Sequence, residues 1–465
     1  MWPILVPVAW GVLSFGAVYP WAYRPLMAAM AVVGAYGWFK AAPDERAPAR
    51  ALGLGLLVVG LVVALQLVPM PASTLMRVSP ATDLFLRQYD VAYSIARRLA
   101  QPAMHPLSIA PDATIRGLAC GVALGVFVVG CTSMLPRVPL TRLVGALIAL
   151  AVVLALFGII QKATFNDRIY WFWKPVNVAS NAFGPFVNRN HFAGWMLMSA
   201  CLTAGHLCGL LSAQRRWRPA SWRERAAWLS SRDANYAILV AAAFFVMVLS
   251  IVWTLSRSGI GAMAIAGTLL GLRAATRRRG RGSLFAILFV VMALALAVAW
   301  RGAGDVAEWY GRTNTLQWRL EQWNDTRPIV HDFRWFGTGL NTYAASMLIY
   351  PTSHPESIVR EAHNDYLQLL SEGGVALAFP CIVVVLLLVN GIWRAFAEPQ
   401  SGDVDWIRAG AVTGLIGIAI QEVVDFSLQL PGNAVLFALL IAIALHRAPT
   451  VGQRGHRQSG VVAKN

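Results

Sequence analysis

Long apolar runs, each nearly free of charge, constrain the fold of this chain more than any other feature of its sequence. Most approach the roughly 20 residues that a helix needs to cross the hydrocarbon core of a bilayer. Hydrophobic residues make up 57% of the chain and charged residues 13%, a balance typical of polytopic membrane proteins. We therefore predict an all-α integral membrane protein with about twelve transmembrane helices. The runs lie at 2–19, 25–39, 51–69, 115–135, 141–161, 190–212, 235–254, 258–272, 284–300, 373–393, 407–424 and 432–446.

The placement of basic residues predicts the orientation of these helices. The formal net charge is +17, and the densest basic clusters lie at 215–225 and 273–282. Both fall in cytoplasmic loops if the N-terminus is inside, and the tail after Arg447 is then cytoplasmic too, as the positive-inside rule requires. We attribute the charge to topology and not to nucleic-acid binding. The first residues lack a basic segment and a cleavage site, which favours a retained helix over a signal peptide.

The predicted helices form one membrane domain with external loops. Residues 1–300 hold helices 1–9 and an external loop at about 70–114. Residues 301–372 form a large periplasmic loop that caps the outer face, residues 373–446 hold helices 10–12, and residues 447–465 form a basic cytoplasmic tail. There is no internal sequence repeat.

Polar residues gather at the outer ends of the predicted helices. Arg189, Asn190 and His191 open the sixth helix, and Arg257 lies in a tight Leu-Ser-Arg-Ser-Gly turn between the seventh and eighth. An ionisable group at membrane depth is costly and usually faces a cavity or a partner, although an arginine near a helix end can also snorkel to the headgroups. A helix N-terminus that carries an arginine is a suitable site for an anion.

The large external loop adds further candidates on the same side. Arg319, His363 and Asn364 lie in or at the end of this loop, and Asp425 follows the eleventh helix. Histidine titrates near neutral pH, so a neutral His363 beside arginines can act as a general base. His191 adjoins an apolar stripe, which is more typical of a structural histidine. We expect Asn190, His191, Asn364 and Asp425 to have supporting roles at most.

Motifs for metals and nucleotides do not occur in the sequence. There is no HExxH, DxD or Walker pattern, so we predict neither a metal nor any other cofactor. The five cysteines lie in or at the ends of apolar runs, as small core residues do. Arginines without a metal suit a phosphate-bearing substrate that carries its own activation.

Five motifs occur in a characteristic order between about residues 115 and 446: FGPFVNRNHFAGW, LSRSGIG, WRLEQW with the later WFGTGLNTY, AHNDYLQLLSEGG, and VVDFSLQLPGNAVLFA. In this order they resemble the O-antigen ligase and O-antigen polymerase superfamily. The resemblance implies a metal-independent, inverting glycosyltransferase at the periplasmic face of the bacterial inner membrane. It would take a glycan from undecaprenyl pyrophosphate and transfer it to an acceptor sugar hydroxyl.

The resemblance also implies roles for single residues. By motif, His363 corresponds to the family's essential histidine, while Arg257 and Arg319 correspond to arginines that hold the pyrophosphate, which Arg189 would join. A ligase would use the lipopolysaccharide core as acceptor, and a polymerase would use a lipid-linked repeat. Both remain open, because AHNDYLQLLSEGG resembles the polymerase and exopolysaccharide side.

Two alternatives belong to other functional classes. A transporter of lipid-linked glycans would place polar groups near the bilayer midplane on broken helices, often in repeated halves, whereas this sequence places them at one edge. A scaffold for a polysaccharide export complex would keep working after substitution of His363.

Overall fold

The computed structural model describes residues 1–175, 182–214, 223, 230–277, 314–350, 352–353, 355–356, 359–398 and 402–447. Within these residues the protein is built from α-helices, three short 3-10 helices and one small two-stranded sheet. The helices are α1 (Trp2–Leu13), α2 (Pro20–Lys40), α3 (Ala47–Leu65), α4 (Ala72–Val78), α5 (Pro80–Tyr89), α6 (Val91–Arg98), α7 (Pro111–Met134), α8 (Leu140–Ala163), α9 (Arg189–Gln214), α10 (Arg232–Thr254), α11 (Arg257–Arg277), α12 (Asn314–Asp332), α13 (Tyr343–Met347), α14 (Asp365–Ala397), α15 (Gly402–Gln421) and α16 (Pro431–Ala444).

Six helices of the described part are long and apolar enough to cross a membrane, namely α3, α7, α8, α9, α10 and α14. Two further apolar helices, α1 and α16, are shorter. Every predicted apolar run within the described residues coincides with a helix, and the run at 284–300 lies outside them. The prediction of a helical membrane protein is therefore confirmed. The number of twelve spans and the cytoplasmic position of both termini stay predictions.

Helix α9 lies at the centre of the bundle and packs against α8, α10, α11, α15 and α16. Its closest neighbour is α15, because glycines face each other across the contact. A Cβ atom on Gly205 would lie 2.5 Å from the carbonyl oxygen of Trp406, and one on Gly410 would lie 2.6 Å from that of Cys201. Small residues allow helices to approach closely where lipid supplies no hydrophobic driving force. The exposed surface of α3 and α14 is, by contrast, rich in leucine and valine, as expected for a lipid-facing surface.

The described parts of the two predicted external loops form one cap at the end of the bundle where α9, α11 and α14 begin. In the first loop, β1 (Met70–Pro71) pairs antiparallel with β2 (Met104–His105), and α4–α6 enclose a small core with Leu75, Leu86 and Tyr93. The second loop contains α12 and α13 and packs against the first. The backbone N–H of Ile109 donates to the carbonyl of Thr338 at 2.8 Å.

A kink in α14 fixes this cap to the bundle. Gly374 has φ 58°, and Gly337 in the cap has φ 68°, in the left-handed region that favours glycine. The buried carboxylate of Glu372 accepts the backbone N–H groups of Asn341 at 2.7 Å and Tyr343 at 3.0 Å. The sequence Glu372-Gly373-Gly374 thus forms the kink that receives the cap.

Candidate active site

The first turns of α9 and α11 meet and bring two arginines together. Arg189 is the first residue of α9, and Arg257 is the first residue of α11. Leu255, with φ 55°, turns the chain sharply between α10 and α11, as the tight turn in the sequence predicts. A Cβ atom on Gly259 would lie 2.6 Å from that of Ala193, so the two helix starts are in close contact. The guanidinium groups of Arg189 and Arg257 are near enough to repel each other.

A third arginine reaches the same place from the cap. Arg319, on α12, is mostly buried, and its Nη2 atom lies 3.6 Å from the Oδ2 atom of Asp425. Burial lowers the pKa of Arg319, Asp425 raises it, and repulsion from Arg257 lowers it again. Arginine stays charged despite such shifts. Arg189, Arg257 and Arg319 therefore form a positively charged group, which we term the site-end cluster.

Asp425 is the fully buried carboxylate that joins this cluster to the central helix. Its Oδ1 atom lies 3.9 Å from Nε2 of His191, and it accepts hydrogen bonds from the Ser258 hydroxyl at 3.2 Å and the Phe426 N–H at 3.0 Å. The side chain of Asn190 is a further partner. Burial raises the pKa of Asp425, and its hydrogen bonds and the nearby arginine of the cap oppose that shift.

His363 is held in a backbone conformation that favours glycine. Its φ is 49°, and such conformations cost about 1–3 kcal/mol in non-glycine residues. Both neighbours are restrained: the Ala362 N–H donates to Gln368 Oε1 at 2.9 Å, and Trp323 Nε1 donates to the Ala362 carbonyl at 3.1 Å. Asn364 caps α14 by accepting the N–H of the third residue of the helix. The strain therefore persists because the surrounding structure enforces it, as is common at functional sites.

Aromatic rings surround the imidazole of His363. Trp318 and Phe426 approach it nearly edge-on, with centroid distances of 5.3 Å and 4.8 Å, and Phe426 also contacts His191 at 4.6 Å. Burial lowers the pKa of His363 to about 4, and the charge of Arg319 contributes in the same direction. Its Nδ1 atom is buried without a hydrogen-bond partner in the part of the chain that the structure describes. A neutral imidazole at physiological pH can accept a proton.

The structure thus brings most of the predicted residues to one place. Arg189, Arg257, Arg319 and His363 converge, and Asp425, His191 and Asn190 support them through the contacts above. Asn364 differs, because its Oδ1 accepts the Leu367 N–H at 3.0 Å and so acts on the backbone.

Three residues that shape the site were not among those predicted from the sequence. Ser258 donates to the buried carboxylate, and Trp318 and Phe426 flank the imidazole. Ser258 and Phe426 each follow a predicted site residue directly, and Trp318 precedes one. Their positions next to predicted site residues were the signal in the sequence that could have indicated them.

The groups that this site offers to a ligand are the guanidinium groups of the site-end cluster, at the N-termini of two helices and in the cap. Within the described ranges, no group of three or more His, Cys, Asp or Glu side chains could hold a metal ion. Guanidinium groups and helix N-termini are the groups with which proteins bind phosphates. The arrangement can therefore bind a phosphate-bearing ligand next to a proton acceptor.

The model of the O-antigen ligase family matches residues 242–388 of this chain. The matched segment contains Arg257, Arg319 and His363, and extends from α10 into α14. A search of the curated proteins found no match. The family match confirms the resemblance that the sequence motifs predicted.

Proposed function

Because the chain carries a domain of the O-antigen ligase superfamily, we propose that it transfers a glycan from undecaprenyl pyrophosphate to an acceptor sugar hydroxyl. The reaction would occur at the periplasmic face of the bacterial inner membrane. The observation that carries the proposal is the convergence of the site-end cluster on a mostly buried, neutral His363.

The arginines suit the leaving group of such a reaction. When the bond between the anomeric carbon and the pyrophosphate oxygen breaks, negative charge grows on that oxygen. Preorganised cations in a buried site stabilise this charge without having to reorganise. Each charge-assisted hydrogen bond contributes about 1.5–3 kcal/mol. Arg189 and Arg257 also stand at helix N-termini, where the helix dipole adds to the positive potential.

His363 suits the activation of the acceptor hydroxyl. Its neutral imidazole would take the proton of the acceptor hydroxyl while the hydroxyl oxygen attacks the anomeric carbon. Attack opposite the pyrophosphate inverts the configuration at that carbon. The proton leaves on the imidazolium and passes to solvent, and the bonding electrons leave with the polyprenyl pyrophosphate.

The membrane fold suits a donor with a polyprenyl tail. Arg189 and Arg257 are the first residues of α9 and α11 in the membrane domain, so the tail could stay in the bilayer while the pyrophosphate reaches the cluster. This chemistry is shared by ligases and polymerases. We propose the ligase reaction, with the lipopolysaccharide core as acceptor, and keep the polymerase reaction, with a lipid-linked repeat as acceptor, as the alternative.

The experiment that tests this proposal uses purified protein in lipid nanodiscs and a glycan on undecaprenyl pyrophosphate. Lipopolysaccharide core and a second lipid-linked repeat are offered separately, with EDTA present because the proposed reaction needs no metal. We expect the wild type to release polyprenyl pyrophosphate as the glycan appears on one acceptor. That acceptor distinguishes the ligase from the polymerase.

The matched controls are two histidine variants of the cap. His363→Ala should stop transfer, whereas His331→Ala, at an exposed histidine that pairs with Asp332, should not. Thermal unfolding of both variants shows whether they are folded. Equal activity of folded His363→Ala and wild type would refute the proposed base. In sealed proteoliposomes, movement of intact donor across the bilayer without release of pyrophosphate would favour the transporter.

A further inference from the structure

Arginines also gather at the end of the bundle opposite to the candidate active site. Helix α14 begins beside the site, and its 23 residues after the kink at Gly374 extend roughly 35 Å away from it at about 1.5 Å per residue. Near that end, Arg394 of α14 meets Arg447, which follows α16, beside one cavity. Arg408 of α15 is close enough to interact electrostatically with Arg447. We term Arg394, Arg408 and Arg447 the far-end cluster.

Arg408 is a buried cation whose hydrogen-bonding capacity is only partly used. Its side chain is 0% exposed, and its Nη1 donates to Asp405 Oδ1 at 3.3 Å. Its Nε and Nη2 atoms are buried and have no hydrogen-bond partner among the described residues. The guanidinium lies 4.4 Å from the ring centroid of Phe396, on which Arg273 also packs at 4.3 Å. Buried donors of a charged group are costly when they are left unsatisfied.

Positive charge exceeds negative charge around this residue. Arg273 and Arg447 repel Arg408, whereas Asp405 and Glu398 attract it. Glu398 is engaged with Arg447, with Oε1 2.7 Å from Nη1, and the Nε atom of Arg447 is buried without a partner in the described part of the chain. His446 is also buried next to Arg408. The carboxylates of Asp405 and Glu398 thus face the guanidinium groups of three residues, Arg273, Arg408 and Arg447.

A cavity of about 220 Å³ adjoins this cluster between α3, α14 and the end of α16. Its walls are mainly apolar, with Leu52, Leu387 and Leu445 among them, and Arg394 and Arg447 supply its charge. The neighbouring surface of α14 exposes Trp393 and Leu386, as a lipid-facing helix does. Free phosphate would need the charges but not the apolar walls. A phospholipid uses both, because its phosphate adjoins its acyl chains.

We propose that this cavity binds an anionic phospholipid, with its phosphate at Arg394 and Arg447, which line the cavity, and its acyl chains against α3 and α14. Basic pockets between transmembrane helices on the cytoplasmic side are suited to such headgroups. The predicted topology places this end of the bundle in the cytoplasmic leaflet. The site is independent of the proposed glycan transfer, because it lies at the other end of the bundle.

The test measures which lipid the protein retains. Protein is taken from nanodiscs that contain equal amounts of phosphatidylcholine and phosphatidylglycerol, and native mass spectrometry counts the lipids that stay bound in detergent. We expect the wild type to retain phosphatidylglycerol at least fivefold over phosphatidylcholine. The double variant Arg394→Gln/Arg447→Gln should lose this preference. Arg50→Gln/Arg142→Gln removes the same charge from exposed residues and should keep it.

A second variant keeps the test decisive if the double variant does not fold. Ala51 is an exposed residue that lines the cavity, so Ala51→Phe should fill the space without changing any charge. Retention of phosphatidylglycerol by Ala51→Phe at the wild-type level would overturn the proposal. So would equal retention of both lipids by the wild type. Displacement of the lipid by millimolar inorganic phosphate would mean that the site recognises the anion alone, and would also overturn it.

Discussion

Helix α11 carries arginines at both of its ends, and two of them, Arg257 and Arg273, stand in opposite electrostatic settings. Arg257 is its first residue, and Arg273 lies near its last turn. The helix dipole stabilises a cation near a C-terminus by about 0.3–1 kcal/mol and disfavours one at an N-terminus. Arg273 therefore stands where its own helix favours it. Arg257 stands where its helix opposes it, and it has Arg189 and Arg319 as neighbours.

This difference separates arginines that their own helices disfavour from arginines that their helices favour. Two members of the site-end cluster open their helices, so a bound pyrophosphate would relieve both the unfavourable helix dipole and the mutual repulsion. In the far-end cluster, Arg394 lies near the end of α14 and Arg447 follows α16, and the helix dipole favours a cation at both positions. The proposed lipid site therefore depends on the cavity that Arg394 and Arg447 line, and not on unfavourable helix dipoles.

The largest effect is expected in a comparison of two histidines, one at each end of the bundle. His363→Gln should lower kcat by about 10³-fold, within the 10²–10⁴-fold range of general-base catalysis, because glutamine cannot accept the proton. His446→Gln, near the far-end cluster, should keep the wild-type rate. The measurement is the initial rate of polyprenyl pyrophosphate release by folded protein. Equal losses of kcat in both variants would mean that the two ends of the bundle do not differ in their importance for catalysis.

The next effect compares the two arginines of α11. Arg257→Lys should lower kcat by about 10²-fold, because lysine keeps the charge but not the two-pronged grip on a pyrophosphate. Arg273→Lys, on the same helix, should leave the rate unchanged. Single-turnover kinetics with saturating donor separate this loss from weaker binding. A wild-type rate for Arg257→Lys would mean that this arginine only reaches towards the headgroups.

A smaller effect compares two aspartates that partner arginines. Asp425 positions Arg319 and His191, so Asp425→Asn should lower kcat about tenfold, in line with the loss of one charged hydrogen bond. KM should change less, because the donor-binding arginines of α9 and α11 remain. Asp405→Asn removes the carboxylate that Arg408 uses and should leave kcat unchanged. A rise in KM without a change in kcat would show that Asp425 acts on binding alone.

The sequence alone predicted the helices and the end of the bundle that carries the site. Apolar runs are a direct signal of transmembrane helices, and each described run coincides with one. Arg189 and Arg257 stood out because lipid does not favour arginine beside an apolar run. The kink of α14 was predictable because Glu372-Gly373-Gly374 interrupts a helical pattern.

Contacts between distant segments were not predictable in this way. Asp425 lies more than 200 residues along the chain from His191, and only packing of the helices brings them within 3.9 Å. Packing also brings Gly337 of the cap against the backbone of Glu372 and Gly373 at the kink of α14. Arg408 lies at the start of a predicted helix, and its burial depends on residues from α11, α14 and the chain after α16. One sequence without its fold carries no signal for such pairs.

The smallest expected effect is a shift in the pH profile, and it tests how the site-end cluster acts on the base. Since the pKa of His363 is about 4, the imidazole stays neutral above that value, and kcat/KM of the wild type should be flat from pH 8 to about pH 5. Arg319→Gln removes a positive neighbour that disfavours protonation, so the pKa of His363 should rise from about 4 towards its ordinary value of 6.5. The variant's kcat/KM, measured relative to its own value at pH 8, should then decrease between pH 8 and about pH 5. A variant profile as flat as that of the wild type would show that burial alone sets the protonation of His363. Arg327→Gln, at an exposed arginine of the same helix, is the matched control and should keep the wild-type profile.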